Sequence, residues 1–278
     1  MNICKMCGCN DVEFIASLRG TTLRYISEFF SYSKCIKCNS LICTNMQQPN
    51  YSDYKTGGSI SERKTKRMIS LFNQINVTKK HSILDFGCGN GALVQKLNKN
   101  GYNVNGFEPF GEKYSHFPSK KFDCIYMTHV FEHITDFKQF FLSLKKLSHK
   151  NTKIITIHPS SSRMKKIFPS NSKQIWAIHA PYHTIVPSDK ATRNIFRKNG
   201  FDQIQHYSYD WQRSGIRDNN NVSALLFRDC GGTKDQFLST TKDEKVKHFL
   251  KSPCKYINAL FFDTKDFYAS TFVFKVIE

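Results

Sequence analysis

Residues 83–97 read ILDFGCGNGALVQKL, and they decide what kind of fold this chain adopts. Ile83 and Leu84 form an apolar run closed by Asp85; Gly87, Gly89 and Gly91 follow at alternate positions; Leu93, Val94 and Leu97 then recur at helical spacing. The pattern predicts a strand, a tight turn and a helix. Glycine suits such a turn because, without a Cβ, its backbone takes positive φ and comes within contact distance of a ligand. The helix behind it presents unpaired N–H groups and a partial positive charge. Gly87, Gly89 and Ala92 also satisfy the looser G-x-G-x-x-G/A pattern of dinucleotide sites, so the glycines alone leave two cofactor classes open.

The rest of the chain bounds the answer. At 278 residues there is room for one sizeable α/β domain and a small accessory unit. A hydrophobic content of 40% with 24 phenylalanines indicates a globular core, and no stretch reaches the roughly eighteen apolar residues of a membrane span. The opening MNICKMCGCN lacks a charged start followed by an apolar run, so a reducing cytoplasm is the expected location. The 41 Lys and Arg against 22 Asp and Glu leave a formal charge of +19, which suits a phosphate-bearing small molecule, nucleic acid or a membrane surface.

In a reducing compartment, clustered cysteine pairs point to metal rather than to disulfides. Cys4 and Cys7 form one C-x-x-C, and Cys35 and Cys38 form another. Two such knuckles complete the tetrahedral thiolate set of a structural zinc, with no position open for water. Cys9 and Cys43 lie close enough to substitute as ligands. Residues 1–48 are therefore expected to be a zinc-binding domain whose folding depends on the metal. Residues 49–80 read as a loop rich in Pro, Gly, Ser and Asn followed by a helix from about 61 to 76, and 81–278 as the main α/β domain.

Beyond the glycine turn, YNVNGFEPF alternates apolar and polar residues and ends at Glu108. A carboxylate at the end of the second strand can accept both ribose hydroxyls of a nucleoside. FDCIYMTHVFEHITD reads as a buried strand entering a polar loop, 136–148 as an amphipathic helix, and KIITIHP as a β-branched strand. Ser188 can cap a helix over 189–199 that stops at Gly200, and two further strands are expected at FDQIQHYSYD and STFVFKVI. Alternating elements of these lengths predict a doubly wound, mostly parallel, Rossmann-like sheet whose ligands bind beyond the carboxyl ends of its strands.

The run ILDFGCGNGALVQKL, the strand end GFEP and FDCIYMTHVFEHI together resemble the successive motifs of class I S-adenosylmethionine-dependent methyltransferases. CKMCG and KCIKCNSLI ahead of them, with HAPYHTIVPSDKATRNIFRKNGF later, are similar to a bacterial branch that methylates sugars or other small metabolites and includes sugar C-methyltransferases with an N-terminal zinc. The resemblance, with Asp85 two residues before Gly87, favours adenosylmethionine over a dinucleotide. It implies that Gly87, Gly89 and Gly91 approach the methionine portion, Glu108 the ribose, and Met127, Thr128 and His129 the rim around adenosine, with Asp85 and Cys88 also among the cofactor-binding residues. One departure stands out: only thirteen residues separate Glu108 from Phe122, where this fold usually places a helix, a third strand and often an acidic residue near the adenine. No adenine-contacting side chain can be named there.

Methyl transfer from a sulfonium is an in-line displacement, and an acceptor hydroxyl must also lose its proton. The resemblance implies that His183 in APYHTIVP is the general base; orienting substrate or packing a lid is the alternative, and Tyr182 carries the same ambiguity. His133 is the third catalytic candidate. With His129 and Glu132 it makes the cluster HVFEH, whose i, i+3, i+4 spacing would share one face of a helix and contact substrate, cap the helix or hold a divalent ion. Trp176, His179 and Tyr182 lie in a long connection over 160–187 that reads as a lid; RDNNN at 217–221 reads as an exposed loop. The leading expectation is methylation of a hydroxyl, less readily a carbon, on a sugar nucleotide or glycan precursor in surface-polysaccharide or secondary-metabolite synthesis. An RNA methyltransferase gripping nucleic acid through its zinc domain is a second reading, although 8 Lys and 4 Arg against 5 acidic residues give the first 80 residues only +7. A non-catalytic adaptor is a third.

Overall fold

The computed structural model describes residues 3–46, 48–51, 60–164, 177–207, 240–253 and 269–277. Trp176, the stretch 217–221, residues 52–59 of the linker and residues 165–176 of the long connection lie outside these residues. Contacts divide the chain into two compact units, one of Met1–Pro49, Pro159–Ala191 and Ser214–Tyr268, the other of Asn50–His158, Thr192–Arg213 and Ala269–Glu278.

The second unit is built on a six-stranded sheet. Its strands are β4 (Ser82–Phe86), β5 (Asn103–Phe107), β6 (Phe122–Thr128), β7 (Ser148–Pro159), β9 (Phe201–Tyr207) and β10 (Ala269–Val276), in the order β5-β4-β6-β7-β10-β9. β4 pairs in parallel with β5 and β6, β6 in parallel with β7, and β10 antiparallel with β9. The central strands β4 and β6 and the second half of β7 are covered on both faces and read as nearly continuous apolar runs, whereas β5, at the edge, alternates. On one face α1 (Glu62–Gln74) and α2 (Ala92–Lys99) bury Met68, Leu71, Phe72, Leu93, Val94 and Leu97 against Ile83, Val104, Tyr126 and Ile155. On the other, α3 (Phe137–Leu147) and the later part of α4 (Asp189–Lys198) set Phe140 against Phe86 and stack Phe196 on Phe274, with ring centroids 4.1 Å apart. The helices therefore wind on both sides, as the sequence predicts.

Capping residues set the ends locally. Ser61 accepts from the Lys64 N–H, Asp136 from the Gln139 N–H and Ser188 from the Ala191 N–H, each satisfying a first-turn donor that the helix leaves orphaned. Gly200, at φ +92°, lets the chain leave α4 in the left-handed region. Residues 108–121 contain neither helix nor strand, so among the described residues β5 lies at the edge of the sheet and no third strand follows it.

The first unit carries a four-stranded sheet in the order β1 (Val12–Arg19), β2 (Phe29–Cys35), β3 (Leu41–Cys43), β8 (Ile185–Val186). β1 pairs antiparallel with β2, with Val12 opposite Cys35 and Arg19 opposite Phe29; β3 pairs antiparallel with both β2 and β8. In sequence, 159–191 reads as part of the α/β domain over 81–278. Ile185 and Val186 are instead a strand of the N-terminal sheet, opposite Ile42 and Leu41, and fully buried there. An apolar pair this short carries no record in sequence of which edge it joins.

Candidate active site

The ligand edge of the second unit is assembled from the turns after β4, β5 and β6. Gly87, Gly89 and Gly91 all take positive φ, at +81°, +55° and +74°. The Gly87 and Cys88 N–H groups both donate to the Phe107 carbonyl, at 2.7 and 3.1 Å, which ties the glycine turn to the end of β5. Space excludes side chains as strongly as backbone angle does: a Cβ on Gly87 would lie 2.3 Å from the Val130 methyl, and one on Gly91 2.2 Å from the Tyr114 ring. Tyr114 also covers Gly106, where a Cβ would meet its ring at 2.9 Å and the Cys88 sulfur at 2.8 Å. Two ring-covered glycines thus seat a tyrosine from the abbreviated segment, which nothing in the sequence singled out.

Glu108 is buried, and its carboxylate accepts from the Gly89 N–H at 3.0 Å and from the Phe110 N–H at 3.2 Å. A negative charge thus already sits on the donors of the glycine turn. Asp85 lies 3% exposed in β4, and its carboxyl is pushed up to about 7, chiefly by burial, with the nearby Glu108 charge adding to the shift and the Tyr126 hydroxyl opposing it. Burial likewise raises the Cys88 thiol to about 12, so Cys88 is a packing sulfur rather than a nucleophile.

After β6 the backbone turns sharply. Met127 is buried, Thr128 half-buried, and His129 takes φ +55° while its N–H donates to the Ile157 carbonyl at 2.7 Å. The expected helix through HVFEH does not form; Phe131–His133 is a single 3-10 turn. His129 and His133 therefore do not share a helical face. His129 Nδ1 lies 3.3 Å from the buried Glu132 carboxylate, and His133 Nδ1 lies 3.2 Å from the hydroxyl of Tyr51.

In the first unit, His183 is 6% exposed and its Nδ1 lies 2.7 Å from the Ala177 carbonyl. A carbonyl only accepts, so Nδ1 carries the proton and the imidazole lone pair resides on Nε2. Tyr32 donates from its hydroxyl to the His183 carbonyl at 3.0 Å, and Thr21 Oγ1 lies 2.7 Å from His179 Nδ1. Tyr182 is 1% exposed, its ring edge-on to Tyr25 with centroids 5.6 Å apart and beside His179. Of its two sequence readings, that environment supports packing.

Cys4, Cys7, Cys35 and Cys38 bring their four sulfurs within 4.8 Å of one another. Each pair sits on a knuckle: the Cys7 and Gly8 N–H groups donate to the Cys4 carbonyl, and the Asn39 N–H donates to the Cys35 carbonyl. The residue after each second cysteine, Gly8 at φ +72° and Asn39 at +62°, turns left-handed, the region glycine and asparagine tolerate best. Hydrogen bonds, the one from Cys4 first, lower the Cys38 thiol, while Cys4 is raised by its contact with Cys38 and by burial. Cys9 turns to Asp11 and Cys43 to Asn45, so neither belongs to the cluster of four. Four converging thiols fit a thiophilic cation in tetrahedral coordination.

The family model for a methyltransferase domain matches residues 60–206. No curated protein sequence gives a significant match. Among solved structures, the chain is similar to a putative methyltransferase from an antibiotic biosynthesis pathway of Anabaena variabilis, at 14% identity and TM-score 0.52, covering 78% of this chain and 100% of that one. It also matches a SAM-dependent methyltransferase from Archaeoglobus fulgidus (17% identity, TM-score 0.42, 77% of this chain and 95% of that one). A third match is a putative sarcosine dimethylglycine methyltransferase from Galdieria sulphuraria (12% identity, TM-score 0.44, 77% and 85%). With more than half its length under the family model and a Rossmann-like sheet behind the glycine turn, this chain belongs to the methyltransferase-domain family and is a methyltransferase.

Proposed function

We propose that the enzyme methylates a hydroxyl, in preference to a carbon, of a sugar nucleotide or glycan precursor, with a structural zinc in its N-terminal unit. The observation that carries the cofactor half of this reading is the Glu108 carboxylate lying on the Gly89 N–H at the carboxyl edge of a parallel sheet. An acidic group at this edge would accept the ribose hydroxyls, with Asp85, Gly87, Cys88, Gly91 and Met127 to His129 completing the surround of the cofactor. Adenosylmethionine supplies an electrophilic methyl; the protein's part is to hold the acceptor in line, keep water out and take its proton. His183 is the proposed base, because its carbonyl-fixed tautomer leaves Nε2 as the accepting atom. His133 is assigned to substrate or cofactor contacts, and the net charge of +19 suits a phosphate-bearing acceptor. Cys4, Cys7, Cys35 and Cys38 would bind the zinc.

Calorimetric titration of zinc-replete protein with S-adenosylhomocysteine, beside Glu108→Ala, tests the cofactor half. Micromolar binding in the wild type and its loss by at least about tenfold in the variant are expected, since a charge-assisted hydrogen bond contributes roughly 1.5–3 kcal/mol. Absence of heat in the wild type would overturn the cofactor assignment. A screen of sugar nucleotides against other phosphate-bearing acceptors, with radiolabelled methyl donor, then decides the substrate class; transfer to RNA alone would overturn the sugar reading.

A further inference from the structure

The segment ahead of α1 reads in sequence as linker, and no role falls to it in the reading above. Yet Tyr51 reaches the ligand edge. Its ring stacks on Phe110, with centroids 5.4 Å apart and planes 15° from parallel, and stands edge-on to His133 at 5.9 Å. Its hydroxyl lies 3.2 Å from His133 Nδ1. Phe110 is itself tied to the cofactor edge, since its N–H donates to the same Glu108 carboxylate that meets Gly89. Phe110 is nonetheless 73% exposed, with the Tyr51 ring stacked against one side of it.

We propose that Tyr51 is a positioning residue of the cofactor pocket: it braces Phe110 so that the other side of that ring receives the adenine of adenosylmethionine, and its hydroxyl holds the His133 turn in place. This rests on the cofactor reading above. Residues 108–121 contain neither helix nor strand, and a braced aromatic ring two residues beyond the proposed ribose carboxylate supplies a stacking surface there. A lone exposed ring on a turn would sample several rotamers and lose part of its stacking energy to ordering; a ring already stacked on one side has met that cost before the ligand arrives.

The test is a double-mutant cycle on S-adenosylhomocysteine affinity with Tyr51→Ala, Phe110→Ala and the double variant, with Tyr51→Phe as the conservative change and melting temperature recorded for each. Tyr51→Ala and Phe110→Ala are each expected to weaken binding by about fivefold, the order of one aromatic pair. The double variant should lose clearly less than the two single losses combined, because Tyr51 acts mainly through that ring. Tyr51→Phe keeps the stack and should retain wild-type affinity while moving the His133 ring resonances. If Tyr51→Ala fails to fold, Phe110→Ala, at an exposed side chain, and Tyr51→Phe still decide the matter. Wild-type binding with undiminished affinity in Phe110→Ala, or additive losses in the cycle, would overturn the proposal. A wild type that binds no S-adenosylhomocysteine refutes the cofactor reading instead, so the two failures are told apart.

Discussion

Replacing Asp85 with asparagine isolates the energetic consequence of a carboxyl buried behind the glycine turn. Asp85 is 3% exposed, and burial with the neighbouring Glu108 charge raises its carboxyl from 3.8 to about 7. A carboxylic acid whose value rises on folding binds its proton more tightly in the native chain. Its stabilising contribution is therefore complete below the unfolded value and disappears as pH climbs through 7. A shift of about three units corresponds to roughly 4 kcal/mol in full, of which about 2.5 kcal/mol falls between pH 8 and pH 5. The asparagine side chain has nearly the same shape and no charge to desolvate, so this component vanishes from Asp85→Asn. Urea unfolding of both proteins at the two pH values, compared as a difference of differences, cancels every titration they share. The wild type is expected to gain about 2.5 kcal/mol relative to the variant on going from pH 8 to pH 5. An identical pH dependence in the two proteins would refute the assignment of a raised carboxyl at Asp85.

Two further outcomes follow from the same geometry. Gly91→Ala places a methyl at φ +74° against the Tyr114 ring, and should lower stability by about 1–3 kcal/mol, the cost of a strained left-handed residue with a displaced neighbour; Gly91→Ala with Tyr114→Ala should recover the clash component but not the backbone component, and full recovery would show that the angle is unstrained. If the four thiols hold zinc, a colorimetric assay on denatured protein should return one ion per chain, and Cys38→Ser should lose it and expose the N-terminal unit to proteolysis; a metal-free, protease-resistant wild type would contradict the zinc assignment.

What the sequence determined by itself is what depends on neighbours along the chain. Positive φ at Gly87, Gly89 and Gly91, the helices over 62–74 and 137–147, the apolar stripe of α3, and the two cysteine knuckles are all set within a few residues, so spacing and residue type reveal them. The missing third strand was legible too, because thirteen residues cannot hold a helix and a strand with their connections. Tertiary structure alone decided the rest. Ile185 and Val186 joined an N-terminal sheet more than a hundred residues earlier in the chain, because strand pairing is settled by edges that sequence does not rank. HVFEH settled into a 3-10 turn, since His129 left the strand at a left-handed angle. Tyr51, lying in what reads as a linker, came to rest on Phe110 and His133, and Asp85 acquired a raised carboxyl from burial among side chains far away in sequence. Local order is written in adjacent residues, whereas desolvation and ring contacts exist only after distant segments have packed together.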